Sequence, residues 1–116
     1  MGVLVGSTST DSVNEGSAAI LKCRFKRNST FTTPVCGVNW RIDDLTEDVI
    51  IRDWTMFTDP ITGSEIRINL TSHDNMLYNN RNKAELRSVT VSASFGDDNF
   101  ATGTFKFYIR NLISVE

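Results

Sequence analysis

The sequence has little of what membrane, nucleic-acid-binding and zinc proteins require. It contains no apolar run approaching the roughly 18 residues that cross a bilayer. Its 12 basic and 14 acidic residues give a formal net charge of −2, so no overall positive field attracts a phosphate backbone. One histidine and two cysteines do not complete a four-ligand zinc site. We therefore expect no membrane span, no nucleic-acid partner and no cofactor.

The cysteines and the N-terminus bear on the redox environment. Cys23 and Cys36 belong to no CxxC pair, which leaves either two buried thiols or one bridge between neighbouring strands. The start MGVLVGSTST has neither the basic region nor the apolar stretch of a signal peptide. Because nothing indicates an oxidising compartment, the sequence favours free, buried thiols.

The length predicts a single domain. A chain of 116 residues is in the usual size range of one domain and buries enough apolar surface for its own core. With two prolines and no repeat or linker-like segment, residues 1–116 are expected to form one unit. Residues 1–12 are mostly polar and predict a loose arm or an edge strand.

Period-two alternation of apolar and polar residues predicts a series of β-strands. In residues 18–26, three apolar side chains alternate with three basic ones. The same pattern predicts strands at 36–43, 49–58, 65–71, 84–95 and 99–112, the last two joined in a hairpin by GDDN. The side chains predicted to point inward are Leu21, Cys23, Phe25, Cys36, Val38, Trp40, Ile42, Ile66, Ile68, Leu70, Val89, Val91, Ala93, Phe95, Phe105, Phe107 and Ile109.

Residues 72–82 interrupt the alternation. They are rich in Asn and Asp, which favour turns, but they include Met76, Leu77 and Tyr78, which are costly to expose together. We predict a crossing loop whose centre, at these three residues, plugs the core.

The number and spacing of the strands indicate the fold class. About seven short strands and no amphipathic helix predict an all-β, antiparallel two-sheet sandwich. Trp40 follows Cys23 by seventeen positions on the next strand, so the chain resembles the immunoglobulin-like superfold. In that resemblance Cys23 lies on a strand like B, Trp40 on one like C, and the last two strands form the F–G hairpin. The second cysteine of that family has no counterpart between Val89 and Phe95, so no intersheet disulfide is implied.

A narrower resemblance concerns the second half of the chain. The segments EIRINLTS, NNRNKAELRSVTVSASFGDDN and TFKFYIRNL look like those of immunoglobulin-like modules in bacteriophage structural proteins and prophage-encoded proteins. That resemblance implies a binding or scaffolding module without catalysis, in a virion or in the cytoplasm of a bacterial host.

Few residues suggest catalysis or metal binding. The Ser-His-Asp run at 72–74 contains the single histidine, but consecutive residues do not converge into a triad, so we predict no catalytic residues and no enzyme. The acidic residues Asp43–Asp44, Glu47, Asp48 and Asp97–Asp98 have the oxygen ligands that calcium prefers. Acidic residues in turns more often serve local hydrogen bonding, so no metal site is assigned.

Strand parity collects the candidate binding residues on one outer sheet face. If the strands resembling C, F and G are adjacent, they present Asn39, Ser92 and several larger polar side chains on that face. The candidate binding residues are Arg41, Thr90, Lys106, Tyr108 and Arg110. Tyr and Arg are enriched at interface hot spots, although an ordinary polar outer face has the same pattern.

Two other features are weaker candidates for contact surfaces. Trp54 lies near Met56 and Phe57, but the pattern favours a core tryptophan. A basic stripe either meets an acidic partner or is a solvated, protected edge. Its residues are Lys22, Arg24, Lys26 and Arg27.

We therefore expect a non-enzymatic structural or binding module, phage-like or surface-associated, that acts through contacts with a protein or a glycan. Self-association is expected through exposed edge strands or the N-terminal arm. The alternative is a calcium- or carbohydrate-binding sandwich module of a larger hydrolase or adhesin.

Overall fold

The chain is built from β-strands. The computed structural model describes residues 2–7, 12–27, 30–31, 34, 37–96 and 99–112. The strands in these ranges are β1 (Gly2–Ser7), β2 (Ser12–Asn14), β3 (Ala19–Arg27), β4 (Thr30–Phe31), β5 (Val38–Asp44), β6 (Val49–Met56), β7 (Glu65–Leu70), β8 (Ala84–Gly96) and β9 (Asn99–Arg110). β2 and β4 span only three and two residues. The number of the longer strands agrees with the prediction of about seven. No helix in the described ranges has the length and apolarity of a membrane span.

The strands form two sheets. In the four-stranded sheet, β1 pairs antiparallel with one edge of β3, while β7 and then β4 pair antiparallel with the other edge. The five-stranded sheet has the order β2-β9-β8-β5-β6, and all of its pairings are antiparallel except that of β2 with β9. This confirms the predicted two-sheet sandwich, with β3 and β7 in one sheet and β5, β8 and β9 in the other.

The inner faces of the two sheets share one apolar core. Phe25 of β3 meets Phe95 of β8 edge-on, with 6.5 Å between the ring centroids. The predicted inward positions are confirmed wherever the side chain is described, although Phe105 is only partly buried. The buried members are Leu21, Cys23, Phe25, Val38, Trp40, Ile42, Ile66, Ile68, Leu70, Val89, Val91, Ala93, Phe95, Phe107 and Ile109.

Cys23 is a free thiol in the centre of this core. Burial raises the pKa of the Cys23 thiol to about 12, because apolar surroundings disfavour the charged thiolate. It therefore packs as a small hydrophobic side chain with little nucleophilic reactivity. The prediction for Cys36 lies outside the described residues.

The edge strand β6 departs from regular alternation. Its register against β5 shifts between Trp40 and Ile42 and again between Ile42 and Asp43, and such irregularities change which face a side chain occupies. The consecutive residues Asp53 and Trp54 are consequently both exposed. This irregularity explains why the two faces of the segment are poorly separated in the sequence.

Truncation at β3 tests the assignment of the inner face. Leu21→Ala removes a fully buried side chain and is expected to lower the free energy of unfolding by about 2–5 kcal/mol. Ile20→Ala, on the same strand but at a side chain that is 46% exposed, is the matched control and should change it by about 0.5 kcal/mol. Urea unfolding measures both values, and equal losses would contradict the assigned face.

Candidate functional site

The five predicted binding residues lie on the outer face of the five-stranded sheet. Arg41 of β5 lies opposite Thr90 of β8, and both are partly buried. Lys106, Tyr108 and Arg110 of β9 are exposed. The parity prediction of a shared face therefore agrees with the structure.

These residues do not converge on one point of that face. Thr90 lies opposite Thr104 of β9, and Tyr108 is four residues farther along the same strand. An extended strand rises by about 3.4 Å per residue, so Tyr108 lies about 14 Å along the strand direction from Thr104, and therefore from Arg41 and Thr90. Arg41 therefore belongs to a different part of the surface from Tyr108 and Arg110.

Arg41 is fixed by acidic neighbours. Its Nε and Nη2 atoms donate to the two carboxylate oxygens of Asp43 at 3.0 and 2.6 Å, and Nη1 lies 4.0 Å from Asp53. The hydrogen bond with Asp43 is the main reason that the pKa of Arg41 is raised. Its Cζ atom lies 5.8 Å from the ring centroid of Trp54, within cation–π range.

Trp54 is a surface residue, so the interpretation as a core tryptophan is wrong. Its side chain is 49% exposed on β6, the edge strand of the five-stranded sheet. Together with Asn39 and Ser92 it lines an open depression of about 350 Å³, hereafter the Trp54 depression. Met56, which lies opposite Asn39, is also exposed.

The loop at 71–82 contacts the core through polar groups, which corrects the predicted apolar plug. Met76 and Tyr78 are 49% and 60% exposed, and Leu77 packs against the core only partly. The buried residues of the loop are Asp74 and Asn75. Asp74 accepts from Arg52, and the side-chain amide of Asn75 donates to the carbonyl oxygen of Ser17 at 2.7 Å, which offsets part of the cost of burying these two polar side chains.

Arg87, which is fully buried on β8, forms hydrogen bonds to two carboxylates and to the backbone of the loop. Its Nε atom donates to Asp44 at 2.7 Å and Nη2 donates to Glu85 at 3.0 Å. Nη1 donates to the carbonyl oxygen of Asp74 at 2.8 Å, and Nη2 also donates to that of Met76 at 2.6 Å. We call Arg87, Asp44 and Glu85 the Arg87 cluster.

Glu85 connects the Arg87 cluster to the backbone of the loop. Its carboxylate accepts from the backbone N–H groups of Tyr78 and Asn79 at 2.7 and 2.9 Å and from the side-chain amide of Asn82 at 2.9 Å. Burial alone would raise the pKa of Glu85. The hydrogen bonds from Asn79, Tyr78, Asn82 and Arg87 outweigh it and lower the pKa from 4.5 to about 2.

A second ion pair holds the start of the loop. Asp74 accepts from Arg52 of β6 at 2.9 Å and from the backbone N–H and hydroxyl of Thr71 at 3.0 and 2.9 Å. The Arg52 Cζ atom lies 5.3 Å from the ring centroid of Trp40. The loop is thus tied to β6 as well as to β8.

The Arg87 cluster was missed by the sequence reasoning, although the pattern contains a signal for it. Glu85 and Arg87 share the parity of the buried Val89, and Asp44 shares that of Ile42. Charged residues at inward positions indicate a buried pair, since an unpaired charge there is prohibitively costly. Alternation does not say which loop would supply the partners.

Three of the acidic residues considered for calcium are engaged with protein groups, while Asp48 is exposed. Asp43 pairs with Arg41, and Asp44 accepts from Arg87 and from the backbone N–H of Glu47. Glu47 in turn accepts from the side-chain amides of Asn79 and Asn82. No cluster of three or more His, Cys, Asp or Glu residues arranged for a metal occurs in the described ranges. Asp97–Asp98 lie outside them.

The basic stripe is on the opposite side of the sandwich. Lys22 and Arg24 are exposed on β3, and Arg24 donates to Glu65 of β7 at 3.1 Å. This pair has the character of a solvated ion pair, which contributes little to stability. The side chains of Lys26 and Arg27 lie outside the described residues, and His73 is exposed in the loop.

Solved structures with distant sequences share the fold. A β-glucosidase from Listeria innocua in complex with glucose matches 94% of this chain with a TM-score of 0.55 and 18% identity. A mutant β-glucosidase from the same organism, in complex with laminaribiose, matches 93% with a TM-score of 0.53 and 16% identity. The chain covers 16% of each of those chains, about one-sixth of their length. At such identities the similarity shows the fold alone.

A conjugative transposon lipoprotein from Bacteroides eggerthii matches 91% of this chain and 95% of its own at 13% identity, with a TM-score of 0.47, and this similarity carries no argument. No protein-family model and no curated protein matches the chain. The bacteriophage resemblance therefore stays a prediction from the sequence.

Replacement of Arg87 tests the role of the Arg87 cluster. Arg87→Met leaves two buried carboxylates without their cation, and we expect it to lower the free energy of unfolding by about 3–5 kcal/mol and to open the loop to proteolysis. Arg81→Met, at an exposed position of the same loop, is the control. Limited proteolysis and urea unfolding measure both effects, and a stable, protected Arg87→Met variant would contradict the assigned role.

The lowered pKa of Glu85 predicts sensitivity to acid. A carboxylate whose pKa is lower in the folded state contributes stability above its unfolded pKa, and this contribution is lost as the pH falls through the folded pKa. With values of 4.5 and about 2, the loss is on the order of 3 kcal/mol between pH 5 and pH 2.

Glu85→Gln is expected to reduce the slope of stability against pH in this range, measured by thermal unfolding at a series of pH values. Glu65→Gln, at the exposed pair with Arg24, controls for the loss of any carboxylate. An unchanged slope in Glu85→Gln would show that other groups govern the acid response.

Proposed function

We propose that this domain is a non-catalytic binding or accessory module that acts through the outer face of its five-stranded sheet. The observation that carries the proposal is Trp54, a half-exposed aromatic ring on a sheet edge. It lies within cation–π distance of Arg41, which is itself fixed by Asp43. A ring already ordered in this way loses little conformational freedom on binding, which favours its use as a contact.

The remainder of the sandwich supports this use of the face. The Arg87 cluster and the Arg52–Asp74 pair fix the long loop to both β6 and β8, so the sheet that presents the face is braced at one end. Binding surfaces on rigid elements keep their geometry without a folding cost at each encounter. The shared fold with about one-sixth of a β-glucosidase chain supports an accessory role beside other domains.

The narrower form of the proposal is a structural subunit of a phage-like particle. It rests on the sequence of residues 65–112 and on the position of β6 at a sheet edge, where an added strand from a second copy would find backbone hydrogen-bonding groups. Light scattering at several concentrations separates the two forms, since a structural subunit assembles and an accessory module binds as a monomer.

A pull-down experiment with three immobilised forms of the domain, used as matched baits, tests the binding face. The unmodified domain, a Trp54→Ala variant and a control variant changed on the opposite sheet, Arg67→Ala, are immobilised and exposed to proteins and polysaccharides of the source organism. We expect at least one component to be retained by the unmodified domain and by Arg67→Ala but lost from Trp54→Ala. Identical retention by all three baits, or retention by none, would refute the use of this face.

A further inference from the structure

The geometry of the Trp54 depression points to a chemical class of ligand. We propose that it binds one or two sugar rings of a neutral hexopyranose oligosaccharide, an inference that rests on the proposed function and specifies the ligand.

The depression lies across three adjacent strands. Asn39 of β5 lies opposite Ser92 of β8 on one side and Met56 of β6 on the other, and Trp54 stands beside them at the edge. Its volume of about 350 Å³ is at the small end of the range of ligand sites. It is open to solvent, so a chain of linked rings can extend beyond it without a steric stop.

The lining matches the two-sided chemistry of a pyranose ring. Such a ring presents C–H bonds on one face and hydroxyl groups around its rim. The face of an indole carries negative charge density, which attracts the weakly positive C–H groups that stack on it. The amide of Asn39 both donates and accepts hydrogen bonds, as does the hydroxyl of Ser92, so each serves a sugar hydroxyl in either orientation.

The charges near the depression favour a neutral ligand over an anionic one. Arg41 lies beside Trp54, and its guanidinium is paired with Asp43 at 2.6 Å and lies 4.0 Å from Asp53. An anionic sugar would have to displace one of these carboxylates or approach them at close range. Arg41 therefore orders the indole ring of Trp54, and the sugar is contacted by uncharged groups.

The two tryptophans of the chain provide an optical readout. Trp40 is buried and Trp54 is half exposed, so a soluble quencher reports mainly on Trp54. Laminaritetraose and cellotetraose are the neutral probes, and tetragalacturonate is the anionic one. We expect a neutral probe to protect the fluorescence from quenching and to bind saturably in isothermal titration calorimetry.

Three variants locate the ligand. Trp54→Ala is expected to weaken calorimetric binding at least about tenfold, which is the effect of losing an aromatic contact. Asn39→Ala keeps both tryptophans and should weaken it about threefold to tenfold, as for loss of one or two hydrogen bonds. Tyr78→Ala, at an exposed ring in the loop at 71–82 that does not line the depression, is the matched control and should bind as the unmodified domain does.

Several results would overturn the inference. They are the lack of saturable binding of either neutral probe, unchanged binding by Trp54→Ala, preference for the anionic probe, and a dimer that Trp54→Ala abolishes. If the neutral probes fail while the matched baits retain a protein through Trp54, the ligand class is wrong and the proposed function stands. If the baits also show no dependence on Trp54, both fail.

Discussion

The guanidinium of Arg87 donates to the carboxylates of Asp44 and Glu85 and to two carbonyl oxygens of the loop at 71–82, so one side chain joins two strands and a crossing segment. Burying these charges costs several kcal/mol for each ion. The cost is offset because four hydrogen bonds satisfy the cation and because backbone amides satisfy Glu85. The position of the loop, and with it one end of the sandwich, depends on this arrangement.

Much of the fold could be predicted from alternation, and the exceptions have a common physical origin. The buried faces of β3, β7 and β8 follow from Leu21, Ile68 and Val91 and their same-parity neighbours. The loop could not be predicted in the same way, because hydrophobicity places Met76 and Tyr78 inside. In the structure the loop is held by hydrogen bonds to Arg52, Glu85 and Arg87, and local patterning contains no information on those partners.

The candidate site, like the fold, could be predicted from alternation only in part. Parity was sufficient to place Arg41, Thr90 and Tyr108 on one outer face. It was insufficient for Trp54, because the register shifts between β5 and β6 leave the two faces of β6 poorly separated in the sequence, and it gave no distances along the strands. The surface that carries the proposed function thus lies at an irregular edge strand, where alternation alone does not assign the two faces.

The loop is held by its main chain, and this has a consequence for engineering. Arg87 contacts the carbonyl oxygens of Asp74 and Met76, and Glu85 contacts the N–H groups of Tyr78 and Asn79. The side chains of Met76 and Tyr78 are left in solvent, so their identity contributes little to the anchoring. Positions 76 and 78 are therefore suited to the display of foreign side chains on a constrained backbone, as randomised positions in a binder library require.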